Sequence, residues 1–268
     1  MKTLSRIYNG LIFLFLYAPI AVLIFFSFNS SRSRVKFTGF SLKWYMELFG
    51  DREILNALWI TLSVAILSTI VATVIGTAAA VGIQGMNSKL RTVFMAVNNI
   101  PMVNPEIVTG ISMMLLFTFI YQTTGLLQRG YATLLISHIT FCIPYVVLQV
   151  MPKLRQMNPH MYEAALDLGC SPAQSFFKVV LPEIMPGVIT GAMMAFTMSL
   201  DDFVISFFNS GANEQTLSVT IYSMTKKPVT PEINALSTLM FGAVLLMLIL
   251  VNVRQVRDIS RKNKEKGR

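Results

Sequence analysis

Long apolar segments without charged residues constrain this chain more than any other feature. The first runs from Tyr8 to Phe28, and its 21 residues at roughly 1.5 Å each would span about 30 Å, the thickness of a bilayer's hydrocarbon core. Hydrophobic residues make up 54% of the chain and charged residues only 13%, against about 25% charged residues in average soluble domains. The chain is therefore predicted to be an all-α membrane protein.

Six transmembrane helices are predicted, and residues 1–268 are expected to form a single transmembrane domain. The approximate spans are residues 8–28, 56–83, 92–121, 131–151, 186–208 and 233–253. The first apolar run is too long for a cleavable signal peptide, and no small-x-small cleavage site follows it. The third span carries Pro101 and Pro105 and exceeds what a straight helix needs, so a kink or break is expected near these prolines. Gly76 and residues 78–80, all small, predict a close helix approach along the second span.

A polar stretch within residues 152–184 is punctuated like two short helices. Asn158 is a good N-cap residue, Pro159 suits the first helical position, and Gly169 stands where the first helix should end.

The second of these helices is predicted to start at once, with Ser171 and Gln174 forming a capping box. Pro182 is predicted to end it, and Pro186 to open the fifth span.

This stretch resembles a known motif. Glu163-Ala164-Ala165, three residues, Gly169, nine residues, Val179, one residue and Leu181-Pro182 resemble the EAA loop of ABC-importer permeases of the MetI-like, type I fold. Val179 replaces the usual isoleucine. The resemblance implies a cytoplasmic coupling loop that docks in a separate ATPase subunit; the alternative is an ordinary helical hairpin. The implied coupling residues are Glu163, Ala164, Ala165, Asp167, Gly169, Ser171, Leu181 and Pro182.

The distribution of basic residues predicts the orientation. Residues 1–7, 84–91, 152–184 and 254–268 hold 14 Lys and Arg, and the segments on the other side of the predicted spans hold 8. The positive-inside rule then places both termini and the loop at 152–184 in the cytoplasm. The resemblance to ABC-importer permeases implies that the membrane is the inner (plasma) membrane of a bacterial cell. The basic tail can also contact anionic lipid head groups.

Several classes of function are disfavoured. The phosphate-cradling pattern G-x-x-x-x-G-K-[ST] is missing and no nucleophile–base set stands out, so the chain is not predicted to be an enzyme. ATP and Mg²⁺ would be bound by a partner ATPase, and no cofactor is expected in this chain. No basic domain with interleaved aromatic residues indicates nucleic-acid binding. Cys142 and Cys170 have no metal-ligand spacing, and His138 is predicted to be an interhelical hydrogen-bond partner rather than a metal ligand.

Carboxylates within the apolar segments are the candidate substrate-path residues. Glu106, Asp201 and Asp202 should face a cavity or a partner, because an ionised carboxylate at bilayer depth costs several kcal/mol. Adjacent side chains diverge by about 100° on a helix, so one aspartate can line the path while the other pairs or caps. Helix packing or an interfacial position is the structural alternative. Carboxylates favour a cationic substrate, to which aromatic side chains could add cation–π contacts; the candidates are Tyr17, Phe203 and Tyr222.

Further motifs resemble the permeases of spermidine/putrescine importers. They are residues 28–31, 137–142, 199–202, 221–224 and 231–236, spread over most of the chain. Glu106 stands where that family often has aspartate. The resemblance implies pairing with a homologous second permease, two copies of an ATP-binding subunit and an extracytoplasmic polyamine-binding protein. A permease for another solute such as ferric iron, a self-sufficient secondary carrier and a structural scaffold remain as alternatives.

Overall fold

A computed structural model of the chain describes residues 2–31, 36–158, 160–226, 233–243, 245–246 and 249. The helices in these residues are α1 (Lys2–Ser27), α2 (Lys43–Gly50), α3 (Arg52–Gln84), α4 (Ser88–Val103), α5 (Glu106–Thr124), α6 (Tyr131–Gln156), α7 (His160–Asp167), α8 (Pro172–Ser175), α9 (Leu181–Asp201), α10 (Val204–Asn209), α11 (Leu217–Thr225) and α12 (Ile233–Ala243). A π-helical turn, Phe176–Val180, joins α8 to α9. The predicted all-α class is confirmed.

Five helices in the described part of the chain are long and apolar enough to cross a membrane. They are Tyr8–Ser27, Arg52–Gln84, Glu106–Thr124, Tyr131–Gln156 and Pro172–Asp201. Helix α12 covers the first half of the sixth predicted span, 233–253, and most of its second half lies outside the described residues. The boundaries of the six predicted transmembrane spans stay predictions.

The chain divides into two compact units, residues 1–55 with 221–268 and residues 56–220. That all 268 residues form one domain stays a prediction. In the described part of the first unit, the buried Trp44 indole of α2 donates to the Asn29 carbonyl at 2.6 Å. The hydroxyls of Ser27 and Tyr45 are 2.7 Å apart, which ties α2 to the end of α1.

The core of the second unit is built around α6. Its buried face, which includes Val146, Val150 and Leu154, packs against Ala72 and Ala80 of α3 and against buried residues of α9. In the most apolar 18-residue stretch of α6, half of the residues are buried, against 11% in the corresponding stretch of α5. Helix α6 is therefore the central element against which the other helices of this unit are positioned.

Small residues allow the close approaches to α6. A Cβ added at Gly76 of α3 would lie 2.7 Å from Val146 Cβ, and one added at Gly187 of α9 would lie 2.8 Å from the Gln149 carbonyl oxygen. At Gly191 the Val146 Cα would be 3.2 Å away. The predicted close approach at Gly76 is confirmed, because α3 and α9 both meet α6 near Val146.

The predicted break in the third span is also confirmed. Helix α4 ends at Val103, Asn104 and Pro105 are extended, and α5 starts at Glu106. Pro105 cannot donate a backbone hydrogen bond and disfavours helical geometry in the residue before it, so the break falls at Asn104. The segment predicted as residues 92–121 therefore consists of two helices.

Two predictions about prolines were wrong. Pro182 does not end the second short helix, and Pro186 does not open the fifth span, because helical structure continues from Pro172 through both prolines to Asp201. Leu181, immediately before the first proline, is helical with φ −60° and ψ −44°, and its N–H bonds the Phe176 carbonyl five residues back. This wider π turn removes the usual conflict between a proline ring and the preceding turn, so the helix passes through.

We predict that Gly76→Ala lowers the apparent unfolding temperature of the purified protein in detergent, because the added Cβ forces α3 away from Val146. Overpacking of this kind costs about 1–3 kcal/mol. Gly82→Ala on the same helix is the matched control, since a Cβ there meets nothing within 4 Å. Equal unfolding temperatures for the two variants would contradict the close α3–α6 packing.

Candidate functional site

The α4–α5 break places Glu106 at the start of a helix. Glu106 is the first residue of α5 and is exposed, and the Pro105 carbonyl accepts the Val108 N–H at 2.9 Å. A carboxylate in the first turn is favoured by the partial positive charge of a helix N-terminus. The same break that interrupts the apolar segment thus also stabilises an acidic side chain within it.

Glu106 lines a small cleft between α4, α5, α6 and α10. Its lining residues are Pro101, Glu106, Thr109, Phe141, Tyr145 and Ile205. The Glu106 charge interacts electrostatically with the Tyr145 phenol, and the Phe141 and Tyr145 rings meet edge to face at 6.5 Å. The cleft therefore combines one carboxylate with two aromatic side chains, and none of its lining residues in the described part of the chain is basic. We call these six residues the acidic cleft.

A second break, between α9 and α10, holds the two aspartates. Asp201 is the last residue of α9, and Asp202 turns the chain with φ −59° and ψ 128°. The Asp202 carboxylate accepts the N–H of Ile205 at 3.3 Å and that of Ser206 at 2.7 Å, and its side chain is only 5% exposed. Asp202 therefore satisfies backbone donors in the first turn of α10.

Asp201 has the opposite environment. It is the last residue of α9 and is exposed. The adjacent aspartates thus differ as the sequence suggested, one capping a helix and the other exposed. Asp201 lies four residues before Ile205 of the acidic cleft, and the side chain of Asp202 beside it is buried.

The aromatic side chains predicted to contact a cationic substrate lie in different parts of the chain. Phe203 follows the two aspartates, and its ring centroid lies 5.5 Å from that of Phe207. Tyr222 belongs to the other compact unit, where the Lys226 ammonium lies 4.9 Å from its ring centroid. Tyr17 is also in that unit, and its ring centroid lies 6.3 Å from that of Phe13. The roles of Phe203, Tyr222 and Tyr17 in a substrate path stay predictions.

His138 lies beside the second break and is completely buried. Its Nδ1 is 2.7 Å from Ser199 Oγ, and its Nε2 is 3.0 Å from Ser206 Oγ. The prediction of an interhelical hydrogen-bond partner is confirmed. Sequence reasoning missed both serine partners, since a lone serine in an apolar helix gives no sign of what it contacts. No cluster of three potential metal ligands occurs within the described residues.

The loop with the EAA-like motif forms a sharp elbow, which we define as residues 160–182. Helix α7 ends at Asp167, and the chain turns away at Gly169, where φ is +87°. The N–H of Gly169 bonds the Leu166 carbonyl at 2.9 Å and that of Cys170 bonds the Ala165 carbonyl at 3.1 Å, which is the Schellman pattern. The predicted glycine end of this helix is confirmed; Pro159 lies outside the described residues.

The second helix of the elbow, α8, starts as predicted. Ser171 Oγ accepts the Gln174 N–H at 3.3 Å, and Gln174 Oε1 accepts the Ser171 N–H at 3.1 Å. This reciprocal pair is a capping box. Leu181 and Pro182 are the first residues of α9. The second helix of the elbow is therefore continuous with α9.

The two faces of the elbow differ in character. The inner face packs on the end of α6, with Ala165 and Val180 buried and Tyr162 and Phe176 against the same core as Leu154. The outer face is exposed and carries Glu163, Ala164, Asp167, Leu168 and Phe177. Leu168 is 87% exposed and Phe177 64%, which leaves apolar surface beside two carboxylates.

The sequence matches a known protein family over most of its length. Residues 72–261 match the family described as "Binding-protein-dependent transport system inner membrane component". The chain is 38% identical over 263 residues to the putrescine transport system permease protein PotI of Escherichia coli (strain K12), covering 93% of this chain and 92% of that protein. It is 40% identical over 256 residues to the spermidine/putrescine transport system permease protein PotC of the same strain, covering 96% and 93%.

Solved structures share the fold. One chain of a bacterial ABC transporter involved in the import of the acidic polysaccharide alginate superposes with a TM-score of 0.72 at 13% identity, covering 94% of this chain and 95% of that one. A chain of the MetNI methionine ABC transporter gives a TM-score of 0.62 at 22% identity, covering 76% and 94%. At these identities the likeness concerns the fold alone.

The matches confirm the predicted resemblance and the predicted fold of an ABC-importer permease. They agree with the prediction that the chain is a multi-pass inner-membrane transport component rather than an enzyme, in a complex with a binding protein and an ATPase that binds the nucleotide. Because the family match covers more than half of the chain and near full-length relatives exceed 30% identity, this chain belongs to the family of binding-protein-dependent transport system inner membrane components.

Proposed function

We propose that this chain is a transmembrane permease subunit of an ATP-driven importer for polyamines such as spermidine and putrescine. The observation that carries the proposal is the presence of two exposed carboxylates, Glu106 and Asp201, at the two helix breaks, in a chain whose relatives PotI and PotC are polyamine permeases by name. A polyamine is a flexible chain with ammonium groups, so it needs carboxylates for its charges and apolar or aromatic surface for its methylenes.

Electrostatics favours a cation at this place. Glu106 and Asp201 carry like charges when ionised, and among the described residues no lysine or arginine lines the acidic cleft. An ammonium between the two carboxylates would relieve their repulsion and form charge-assisted hydrogen bonds, the stronger class of hydrogen bond in proteins. The rings of Phe141 and Tyr145 offer further cation–π or apolar contact. Asp202, as a buried cap, would support the site without contacting the substrate.

The elbow supports the second part of the proposal, the coupling to a separate ATPase. Its outer face, with Glu163, Asp167, Leu168 and Phe177, is an exposed mixed surface suited to docking. Its inner face is packed on α6 and continues into α9, which ends at Asp201. A displacement of the elbow by a nucleotide-driven partner would therefore be transmitted along α9 to the break that holds the aspartates. Switching of access would follow as a shift between two conformations.

The full assembly we infer has two homologous permeases, two ATP-binding subunits and an extracytoplasmic polyamine-binding protein. This chain would line one half of the translocation path, and the second permease the other half. Both termini and the elbow would lie in the cytoplasm. In the unit formed by residues 56–220, the elbow adjoins the C-terminal end of α6, and the 125–130 loop precedes its N-terminal end. The 125–130 loop would thus face the outside of the cell.

We predict that Glu106→Gln and Asp201→Asn each reduce uptake of radiolabelled putrescine by about tenfold or more, since each removes a charged partner worth roughly 1.5–3 kcal/mol. Uptake is measured in cells that lack other polyamine importers and express the intact importer, normalised to the assembled complex. Glu53→Gln, an exposed carboxylate at the start of α3, is the matched control. Normal uptake by both variants would refute the path. Inhibition of wild-type uptake by ferric iron but not by spermidine would support an iron permease instead.

We predict that Leu168→Asp abolishes co-purification of the ATPase subunit with tagged permease, because the most exposed apolar side chain of the elbow becomes charged. Lys89→Glu is the control: it also changes an exposed residue on the predicted cytoplasmic side. Co-purification is quantified from mild-detergent extracts. An unchanged ATPase ratio for Leu168→Asp would remove the elbow from the coupling interface.

The orientation is tested by thiol labelling in a Cys170→Ser background. We predict that Leu126→Cys, in the loop before α6, reacts with a membrane-impermeant maleimide in right-side-out vesicles, whereas Leu168→Cys reacts only after permeabilisation. Both native side chains are more than half exposed, at 66% and 87%, so accessibility within the protein does not bias the comparison. The reverse labelling pattern would place the elbow outside the cell.

A further inference from the structure

The His138 ring spans the two sides of the α9–α10 break. It projects from α6 with no exposed surface. Its Nδ1 lies 2.7 Å from Ser199 Oγ, two residues before Asp201, and its Nε2 lies 3.0 Å from Ser206 Oγ, four residues after Asp202. One rigid ring thus holds the last turn of α9 and the first turn of α10 at a defined separation.

The contacts of His138 continue at both ends. Ser199 Oγ is 3.0 Å from Ser68 Oγ of α3. At the other end, the Ser206 backbone N–H donates to Asp202 Oδ2 at 2.7 Å, and the same oxygen lies 3.7 Å from His138 Nε2. The imidazole is therefore closer to the Ser206 hydroxyl than to the carboxylate. A buried polar chain runs from α3 through α9 and α6 to the carboxylate that caps α10.

The direction of the hydrogen bonds follows from the groups available. A neutral imidazole donates with one nitrogen and accepts with the other, and a buried unpaired positive charge is costly. The Ser206 hydroxyl interacts with the Asp202 carboxylate, which can only accept. Ser206 then donates to Asp202 and accepts from His138 Nε2–H, so that Nδ1 accepts from the Ser199 hydroxyl. The hydroxyl protons of Ser199 and Ser206 then point towards the negative charge, while the Ser68 hydroxyl has the Ala65 carbonyl oxygen as an acceptor at 3.3 Å.

We infer that His138 is a positioning residue for the substrate carboxylate Asp201. By holding Ser199 and Ser206, the ring keeps Asp202 turned inward over the first turn of α10. Neighbouring side chains at a helix end diverge strongly in direction, so an inward Asp202 leaves Asp201 directed outward, where it is exposed. The inference rests on the proposed function, in which Asp201 contacts the cationic substrate.

A purely structural role for His138 makes a different prediction. If the ring only filled space, its replacement would lower the stability or the amount of importer. The fold-loss of uptake would then be the same in the wild type and in any substrate-contact variant. If the ring acts through Asp201, its replacement matters only while the Asp201 carboxylate is present. Ser137 provides the matched control: it is equally buried and adjacent on α6, but its hydroxyl bonds only the Thr133 carbonyl of its own helix, at 2.8 Å.

The test is a double-mutant cycle on the intact importer in cells, with initial uptake of radiolabelled putrescine at saturating concentration, normalised to assembled complex. We expect His138→Leu to lower uptake about five- to tenfold, the effect of losing one or two buried hydrogen bonds. In an Asp201→Asn background the same substitution should lower it less than about twofold, because coupled residues are not additive. Ser137→Ala should stay within about twofold of the wild type in both backgrounds.

Conservative replacement gives a second readout. His138→Gln places an amide near the position of Nε2 and should restore at least half of the uptake lost in His138→Leu, whereas the shorter side chain of His138→Asn should not. If the His138→Leu importer does not assemble, Ser206→Ala replaces it in the same double-mutant cycle with Asp201→Asn, since it removes only the hydroxyl between the ring and Asp202. A Ser206→Ala variant with wild-type uptake would then overturn the inference.

The remaining outcomes separate this inference from the proposed function. Equal fold-losses from His138→Leu in the wild-type and Asp201→Asn backgrounds would overturn the positioning role and leave the substrate path intact. Wild-type uptake by Asp201→Asn would refute the substrate path itself, and the inference with it. Failure of His138→Gln to restore uptake, with normal assembly, would also count against the proposed hydrogen-bond geometry.

Discussion

Backbone polar groups in an apolar environment must find partners within the protein, and this requirement shapes both breaks in the helices. Where α9 ends, the first N–H groups of α10 would be unsatisfied without the Asp202 carboxylate, which accepts two of them. Where α4 ends, Pro105 removes a donor, and its carbonyl accepts the first N–H of the following turn. A membrane helix can be interrupted only where such partners exist, so the acidic residues and the breaks occur together.

The breaks also explain why carboxylates are tolerated in these segments. Glu106 occupies a helix N-terminus, where a negative charge is favoured, and Asp202 is stabilised by N–H donors and by the Ser206 hydroxyl. Asp201 lies at the C-terminal end of its helix and remains exposed. An exposed carboxylate close to a second negative charge is an arrangement that a cation would stabilise. The local rules of helix termination thus separate a structural aspartate from one available for binding.

The central helix α6 links this region to the elbow. At its C-terminal end it packs against the inner face of the elbow, and in its middle His138 contacts both sides of the α9–α10 break. Close contacts at Gly187 and Gly191 fasten α9 to α6 along the distance between these points. The π turn before Pro182 keeps the elbow and α9 continuous. Motion imposed on the elbow would reach the break through packed, rigid elements.

Local signals in the sequence were enough to determine the membrane class, the elbow with its glycine end and capping box, the break near Pro105 and the family. Each depends on a few neighbouring residues: an uncharged run, an N-cap, a glycine with positive φ, a proline that cannot donate. The continuation of helix through Pro182 depended on a π turn that no local rule indicated. The difference between Asp201 and Asp202, and the partners of His138, were decided only by the tertiary structure. Ser199 and Ser206 are far from His138 in the chain, and their hydroxyls become its partners only when α6, α9 and α10 are packed together. Ser68 of α3 joins the network through Ser199.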